Sequence, residues 1–158
     1  MRRLVTTVFC LLAALTALHA SERGVVIPAP WGSISATLAT ADTGSDTAVL
    51  IVAGSGPTDR NGNSGLSLNT YAYKMLSDGL VRSGYDVLRY DKRAIGESRY
   101  EVGDIAEVVF DDFVDDAALC VAYLRSLGYQ RVVVAGHSEG GSIALHLALR
   151  EDVAVDGL

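Results

Sequence analysis

Residues 131–146 read RVVVAGHSEGGSIALH, and their reading decides the fold. Val132–Ala135 is a short β-branched apolar run, the pattern of a strand covered on both faces. From Glu139 to about Arg150 the period changes to that of a helix, with Ile143 and Leu147 turned inward. Between the two, Gly136-His137-Ser138-Glu139-Gly140 fits G-x-S-x-G, a strained strand-to-helix turn that lifts a serine hydroxyl clear of a sheet. Side chains two residues before and after such a serine would collide with the neighbouring strand and helix, so Gly136 and Gly140 occupy those places. The helix start also offers free backbone N–H groups to a developing oxyanion. The bland alternative is a tight β–α turn whose serine is incidental, and the flanking strand and helix weigh against it.

Upstream the same two periods alternate. Ala48–Val52 and Val87–Tyr90 are further compact apolar runs. One helical pattern covers Leu68–Ser83, with Ala72, Leu76 and Leu80 four apart and a stop at Gly84. A second covers Asp111–Leu127, with Phe113, Ala117, Cys120, Leu124 and Leu127 on one stripe and a stop at Gly128. Val25–Ile27 and Ile34–Leu38 read as two short strands joined through Pro28, Pro30 and Gly32. Strand, strand, then strand–helix three times predicts an α/β fold, a mostly parallel sheet with helices on both faces. Asp111, Asp112, Asp115 and Asp116 crowd the start of the second helix. They read as solvated acids that complement the helix dipole, a commoner case than a metal cluster.

The loop Gly54-Ser55-Gly56-Pro57-Thr58-Asp59-Arg60-Asn61-Gly62-Asn63 follows the Ala48–Val52 strand. It therefore lies at the same sheet edge as the turn around Ser138. It contains neither G-x-G-x-x-G nor G-K-[ST], which weighs against a phosphate cradle. It reads instead as the source of a second oxyanion donor: the N–H of Ser55, just after the loop's first glycine, joins the N–H of Glu139. Asp91-Lys92-Arg93 ends the next strand at the same edge. Asp91 is expected to hold the loop through an ion pair with the Asp59–Arg60 segment rather than to serve as a catalytic acid.

Three motifs in order, V52-A-G-S-G-P-T-D-R-N-G-N63, L88-R-Y-D-K-R-A-I-G-E-S98 and A135-G-H-S-E-G-G141, carry a family resemblance. Over about residues 24–158 the chain resembles the N-terminal part of an α/β-hydrolase, from the branch of serine esterases and aminopeptidase-like hydrolases. Ala94 departs from the pattern, since relatives often have glycine there. The resemblance implies an α/β-hydrolase fold, a Ser–His–acid triad with Ser138 as nucleophile, no metal and no organic cofactor. It also implies a small-molecule acyl substrate: a carboxylic ester cleaved through an acyl-enzyme, with acyl transfer or peptide cleavage as alternatives on the same fold.

A serine hydroxyl needs a base within hydrogen-bond reach. His19 falls in the N-terminal apolar segment. His137 adjoins Ser138, but successive side chains on this turn diverge. His146 is eight residues along the helix, roughly 12 Å away at 1.5 Å per residue. In the family order the acid and the histidine follow the nucleophile. Val153–Leu158 looks like the start of another strand. The expectation is a fragment truncated after the nucleophile helix, with the triad acid and histidine lying further on. An inactive fragment or a binding module is the reading from another class.

Residues 1–20 differ from the rest. Arg2 and Arg3 precede an uncharged apolar run, Leu4–Leu18, and Ala20 offers a small residue at a cleavage point. This order predicts a secretory signal peptide, with residues 21–158 as the exported part, periplasmic or secreted. The run is short for a membrane span of roughly 20 residues, so no stable span is expected after cleavage. An anchor formed by an uncleaved N-terminal helix is the alternative. Without Arg2 and Arg3 the 13 basic residues fall to 11 against 19 acidic ones, a net charge of about −8. Such a chain, with no basic run, is a poor partner for nucleic acid or anionic lipid. Of the two cysteines, Cys10 lies in the signal, so Cys120 is expected to be a buried thiol without an intrachain partner.

Overall fold

The computed structural model describes residues 21–65 and 68–158. The expected signal peptide lies outside the described residues. Strands β1 (Ser21–Ala29) and β2 (Gly32–Thr40) form a long hairpin. Its two-residue turn needs glycine at position 32: φ is 141°, and a Cβ there would stand 2.1 Å from the carbonyl oxygen of Arg99. Strand β3 (Thr47–Val52) follows, then a small hairpin of β4 (Asn63–Ser64) and β5 (Leu68–Asn69), and helix α1 (Ala72–Arg82). After them come β6 (Asp86–Tyr90), the short β7 (Arg99–Tyr100), a 3-10 turn (Ile105–Glu107), α2 (Phe110–Ser126), β8 (Arg131–Gly136) and α3 (Glu139–Ala148).

The main sheet runs β1-β2-β6-β3-β8, with β7 paired to β2. Strands β6, β3 and β8 are parallel and form its core, while β1 and β2 join antiparallel. All six residues of β3 and all five of β6 are buried. Leu38, Leu50, Leu88, Val132 and Val134 face α2 and α3 on one side. Ala39, Val49, Ile51 and Val87 face α1 on the other. Helices thus cover both faces, as the alternating periods predict. The segment at Asp156–Gly157 continues the parallel order: Gly157 bridges Val133, and Asp156 N–H donates to the Val132 carbonyl at 2.9 Å. Among the described residues no helix is long and apolar enough to cross a membrane.

Three expectations change. Helix α1 starts four residues later than its periodicity suggests, because Leu68–Asn69 pairs with β4 and Tyr71 adopts left-handed backbone (φ 52°). Its inward face is Tyr73, Ser77 and Val81, one residue out of step with the Ala72–Leu76–Leu80 stripe, and Leu76 is exposed. A row of apolar residues four apart does not say which of two adjacent rows meets the sheet. Strand β8 is not covered on both faces either. Helix α1 lies over β6 and β2, and Val133 and Ala135 at the sheet's end remain half-buried.

The third change is Asp116. Asp111 and Asp115 are exposed acids at the start of α2, but Asp116 is only 1% exposed. It accepts hydrogen bonds from Arg93 Nε at 2.7 Å, Arg93 Nη2 at 3.0 Å and Trp31 Nε1 at 2.8 Å. Burial pushes its carboxyl above the usual carboxylate range, and the Arg93 and Trp31 donors pull it back. The guanidinium also stacks 5.0 Å from the Trp31 ring centroid. Cys120, one turn on, is fully buried and its thiol is raised well above the ordinary value by desolvation, so it is an inert core residue.

Removing one partner of a buried ion pair leaves the other charge uncompensated, at a cost of roughly 3–5 kcal/mol. Asp116→Ala is expected to destabilise the whole protein by about that much in urea denaturation. Asp111→Ala is expected to change stability by less than about 0.5 kcal/mol. Equal small effects would mean that Asp116 is a solvated helix-start acid after all.

Candidate active site

The turn between β8 and α3 is built by close approach. Val52 and Gly136 are register partners, so β3 and β8 end level with one another. The chain then passes through Ser138 at φ 55° and ψ −120°, a backbone conformation that L-residues rarely adopt. A Cβ on Gly136 would stand 2.2 Å from the Gly140 carbonyl oxygen. One on Gly140 would stand 2.3 Å from the Val52 oxygen and 2.7 Å from that of Ala53. Both glycines are therefore required by backbone contact. His137 N–H donates to the Val52 carbonyl at 3.1 Å and fastens the turn to the end of β3.

Ser138 is exposed at the head of α3. The glycine-rich loop after β3 packs directly against it: a Cβ on Gly54 would lie 3.3 Å from Ser138 Cβ and 3.1 Å from His137 Nδ1. Ser55, the next residue, is exposed, and Glu139 is half-buried. The backbone N–H groups of Ser55 and Glu139 donate to no partner among the described residues, nor does Ser138 Oγ take part in a hydrogen bond. Next to them a cleft of about 260 Å³ is lined by Gly56, Lys92, Ile105, Val108, Phe113 and Glu139. A larger hollow of about 640 Å³ lies over Trp31 and α2, away from the turn.

Charges at the end of β6 organise this edge. Asp91, Lys92 and Arg93 are all buried. Asp91 accepts from Arg60 N–H at 2.7 Å and from Glu97 N–H at 2.9 Å, and pairs with Arg60 Nη2 at 3.1 Å. The loop-holding ion pair with Arg60 is thus present. Ala94 sits at φ 54°, where glycine would be free of the cost of about 1–2 kcal/mol borne by other residues. Lys92 Nζ donates to the Gly54 carbonyl at 2.6 Å and stands 3.5 Å from the Glu139 carboxylate. Burial pushes its ammonium below the ordinary lysine value, and Glu139 acts against that.

Two residues at this edge escaped the sequence reading. Tyr73 Oη accepts from Gly54 N–H at 3.1 Å and lies 2.9 Å from His137 Nδ1, tying α1, the loop and the turn together. The misplaced stripe on α1 concealed it. In the sequence Lys92 stands out only as part of a charged triplet. Neither of the two described histidines is paired with Ser138: His137 is held by Tyr73, and His146 packs edge-on against Phe110 with centroids 5.0 Å apart. Among the described residues no cluster of His, Cys, Asp and Glu is placed to hold a metal ion.

The family described as "Serine aminopeptidase, S33" matches residues 63–158, and the chain belongs to it. Among solved structures, an esterase of Pyrococcus furiosus superimposes with a TM-score of 0.65 at 23% identity, over 87% of this chain and 51% of that one. An α/β serine hydrolase without a lid from Xanthomonas campestris gives 0.61 at 18% identity, over 80% and 55%. A proline iminopeptidase-related protein of Thermus thermophilus gives 0.59 at 20% identity, over 83% and 41%. These likenesses show the α/β-hydrolase fold, and the chain spans about half the length of the structures it matches. No curated protein matches it by sequence.

The two adjacent glycines at the start of α3 separate packing from propensity. Gly140→Ala is expected to cost about 3 kcal/mol or more, since a backbone contact must open. Gly141→Ala meets nothing closer than 3.7 Å and is expected to stabilise by up to about 1 kcal/mol through helix propensity. Chemical denaturation of both variants checks the difference, and equal effects would contradict the close approach.

Proposed function

We propose that this member of the serine aminopeptidase family is a hydrolase of carboxylic esters with Ser138 as its nucleophile. The observation that carries the reading is the exposed Ser138, held at φ 55° beside the amides of Glu139 and Ser55, which donate to no partner among the described residues. Ser138 Oγ attacks the acyl carbonyl while a histidine takes its proton. The oxyanion that forms is met by the N–H groups of Ser55 and Glu139, aided by the positive end of α3. Collapse expels the alcohol, protonated by the same histidine, and leaves the acyl group on Ser138. Water, deprotonated in turn, cleaves that ester and releases the carboxylic acid.

In the whole protein the histidine and its acid come from outside residues 21–158. Supporting this are the contacts that His137 and His146 make with Tyr73 and Phe110 rather than with Ser138, and the greater length of the matched structures. The cleft beside Glu139, with Ile105, Val108 and Phe113 on its walls, suits an apolar acyl group. Residues 1–20 carry the pattern of a signal peptide, and export to the periplasm or the exterior belongs to the same reading. A second reading, cleavage of a short peptide or transfer of the acyl group, draws on the family description and uses the same nucleophile.

A fluorophosphonate probe is expected to label the whole protein at Ser138, with labelling lost in Ser138→Ala. Hydrolysis of 4-nitrophenyl esters is expected to fall by roughly 10⁴-fold or more in that variant. A folded protein that takes no label would refute the reading. Faster turnover of aminoacyl amides than of esters would favour the peptidase.

A further inference from the structure

We propose that Lys92 is a positioning residue of the oxyanion site, acting through the peptide group between Gly54 and Ser55. The inference rests on the hydrolase reading above and adds a residue to it. Its basis is the geometry of one amide plane. Lys92 Nζ donates to the Gly54 carbonyl oxygen at 2.6 Å. That carbonyl and the Ser55 N–H belong to the same planar peptide group, which is trans, like every described peptide bond. In a trans peptide the C=O and N–H point in opposite directions. Lys92 is buried, 4% exposed, beneath the loop, whereas Ser55 is exposed. Fixing the oxygen on the buried ammonium therefore turns the Ser55 N–H the opposite way, away from Lys92, where it is free to meet an oxyanion.

The charge matters as well as the contact. A cation on the carbonyl oxygen polarises the whole amide and strengthens its N–H as a donor, an effect enhanced where the dielectric is low. Other groups also surround Lys92. Its ammonium lies between the Gly54 oxygen and the Glu139 carboxylate at 3.5 Å, with the Phe113 ring centroid 5.5 Å away. The other side of Gly54 is held too, since its N–H donates to Tyr73 Oη at 3.1 Å. Both peptide groups flanking Gly54 are thus clamped from below, one by a neutral hydroxyl and one by a charge. The loop is also packed against the turn at this point, since a Cβ on Gly54 would lie 3.1 Å from His137 Nδ1 and 3.3 Å from Ser138 Cβ.

A group that acts only on the oxyanion affects the transition state and leaves substrate binding alone. In the whole protein, Lys92→Met is expected to lower kcat for a 4-nitrophenyl ester by about 10- to 100-fold, somewhat less than the loss of a direct oxyanion donor. KM is expected to stay within about threefold, because the substrate carbonyl draws little on that donor in the ground state. Affinity for a trifluoromethyl ketone, which forms an oxyanion on Ser138, should fall in parallel with kcat. Lys92→Arg, which keeps the charge, should recover most of both. Lys92→Gln reads the same quantities should the methionine variant fail to fold, and circular dichroism reports folding of each. Unchanged kcat and ketone affinity in a folded variant, or a rise in KM alone, would overturn the role of Lys92 while leaving the hydrolase reading intact. Wild-type protein that neither turns over esters nor binds the ketone would overturn both.

Discussion

The carbonyl oxygens of Val52 and Ala53 approach the backbone of Gly140 so closely that no side chain fits between them. Everything at the active edge depends on that approach. It presses the start of α3 against the end of β3, so the chain leaving β8 must reverse within three residues. The reversal puts Ser138 at positive φ and exposes its hydroxyl. It also brings the loop after β3 into contact with Ser138 through Gly54, where a Cβ would be crowded as well. Strain at one residue is sustained because neighbours on both sides over-determine it.

The end of β6 supplies the complementary constraint, made from charge. Three consecutive buried residues reach three different elements. Asp91 holds Arg60 and the far end of the glycine loop, Lys92 holds its near end and faces Glu139, and Arg93 holds α2 through Asp112 and Asp116. Burying such groups costs desolvation, and ion pairs of this kind contribute little net stability against an apolar alternative. Their value here is geometric. A strand end that reaches the loop, the turn and a helix ties all three to one point.

Much of this was legible in the sequence, and the failures have physical causes. Residues 131–146 alone specify the strand, the turn and the helix, because two glycines and a change of period leave few other structures. Core strands β3 and β6 were evident from continuous apolar runs. Asp91 with Arg60 was foreseeable because both belong to segments that follow strands ending on one edge. The face of α1 was not, since adjacent rows of that helix are both partly apolar, and Tyr73 was hidden with it. Asp116 looked like its three acidic neighbours. Only the fold brings Trp31 and Arg93 beneath it, 85 and 23 residues away in sequence. Helix-start acids share a composition but not an environment.

Backbone strain at Ser138 is proposed to aim its oxygen at a site shared with two amides. The most direct measurement is a crystal structure of the whole protein after reaction with diisopropyl fluorophosphate. The account predicts phosphorus on Ser138 Oγ, with the phosphoryl oxygen about 2.7–3.1 Å from the backbone nitrogens of both Ser55 and Glu139. A phosphoryl oxygen turned to solvent, or held by other donors while those two amides point elsewhere, would contradict it.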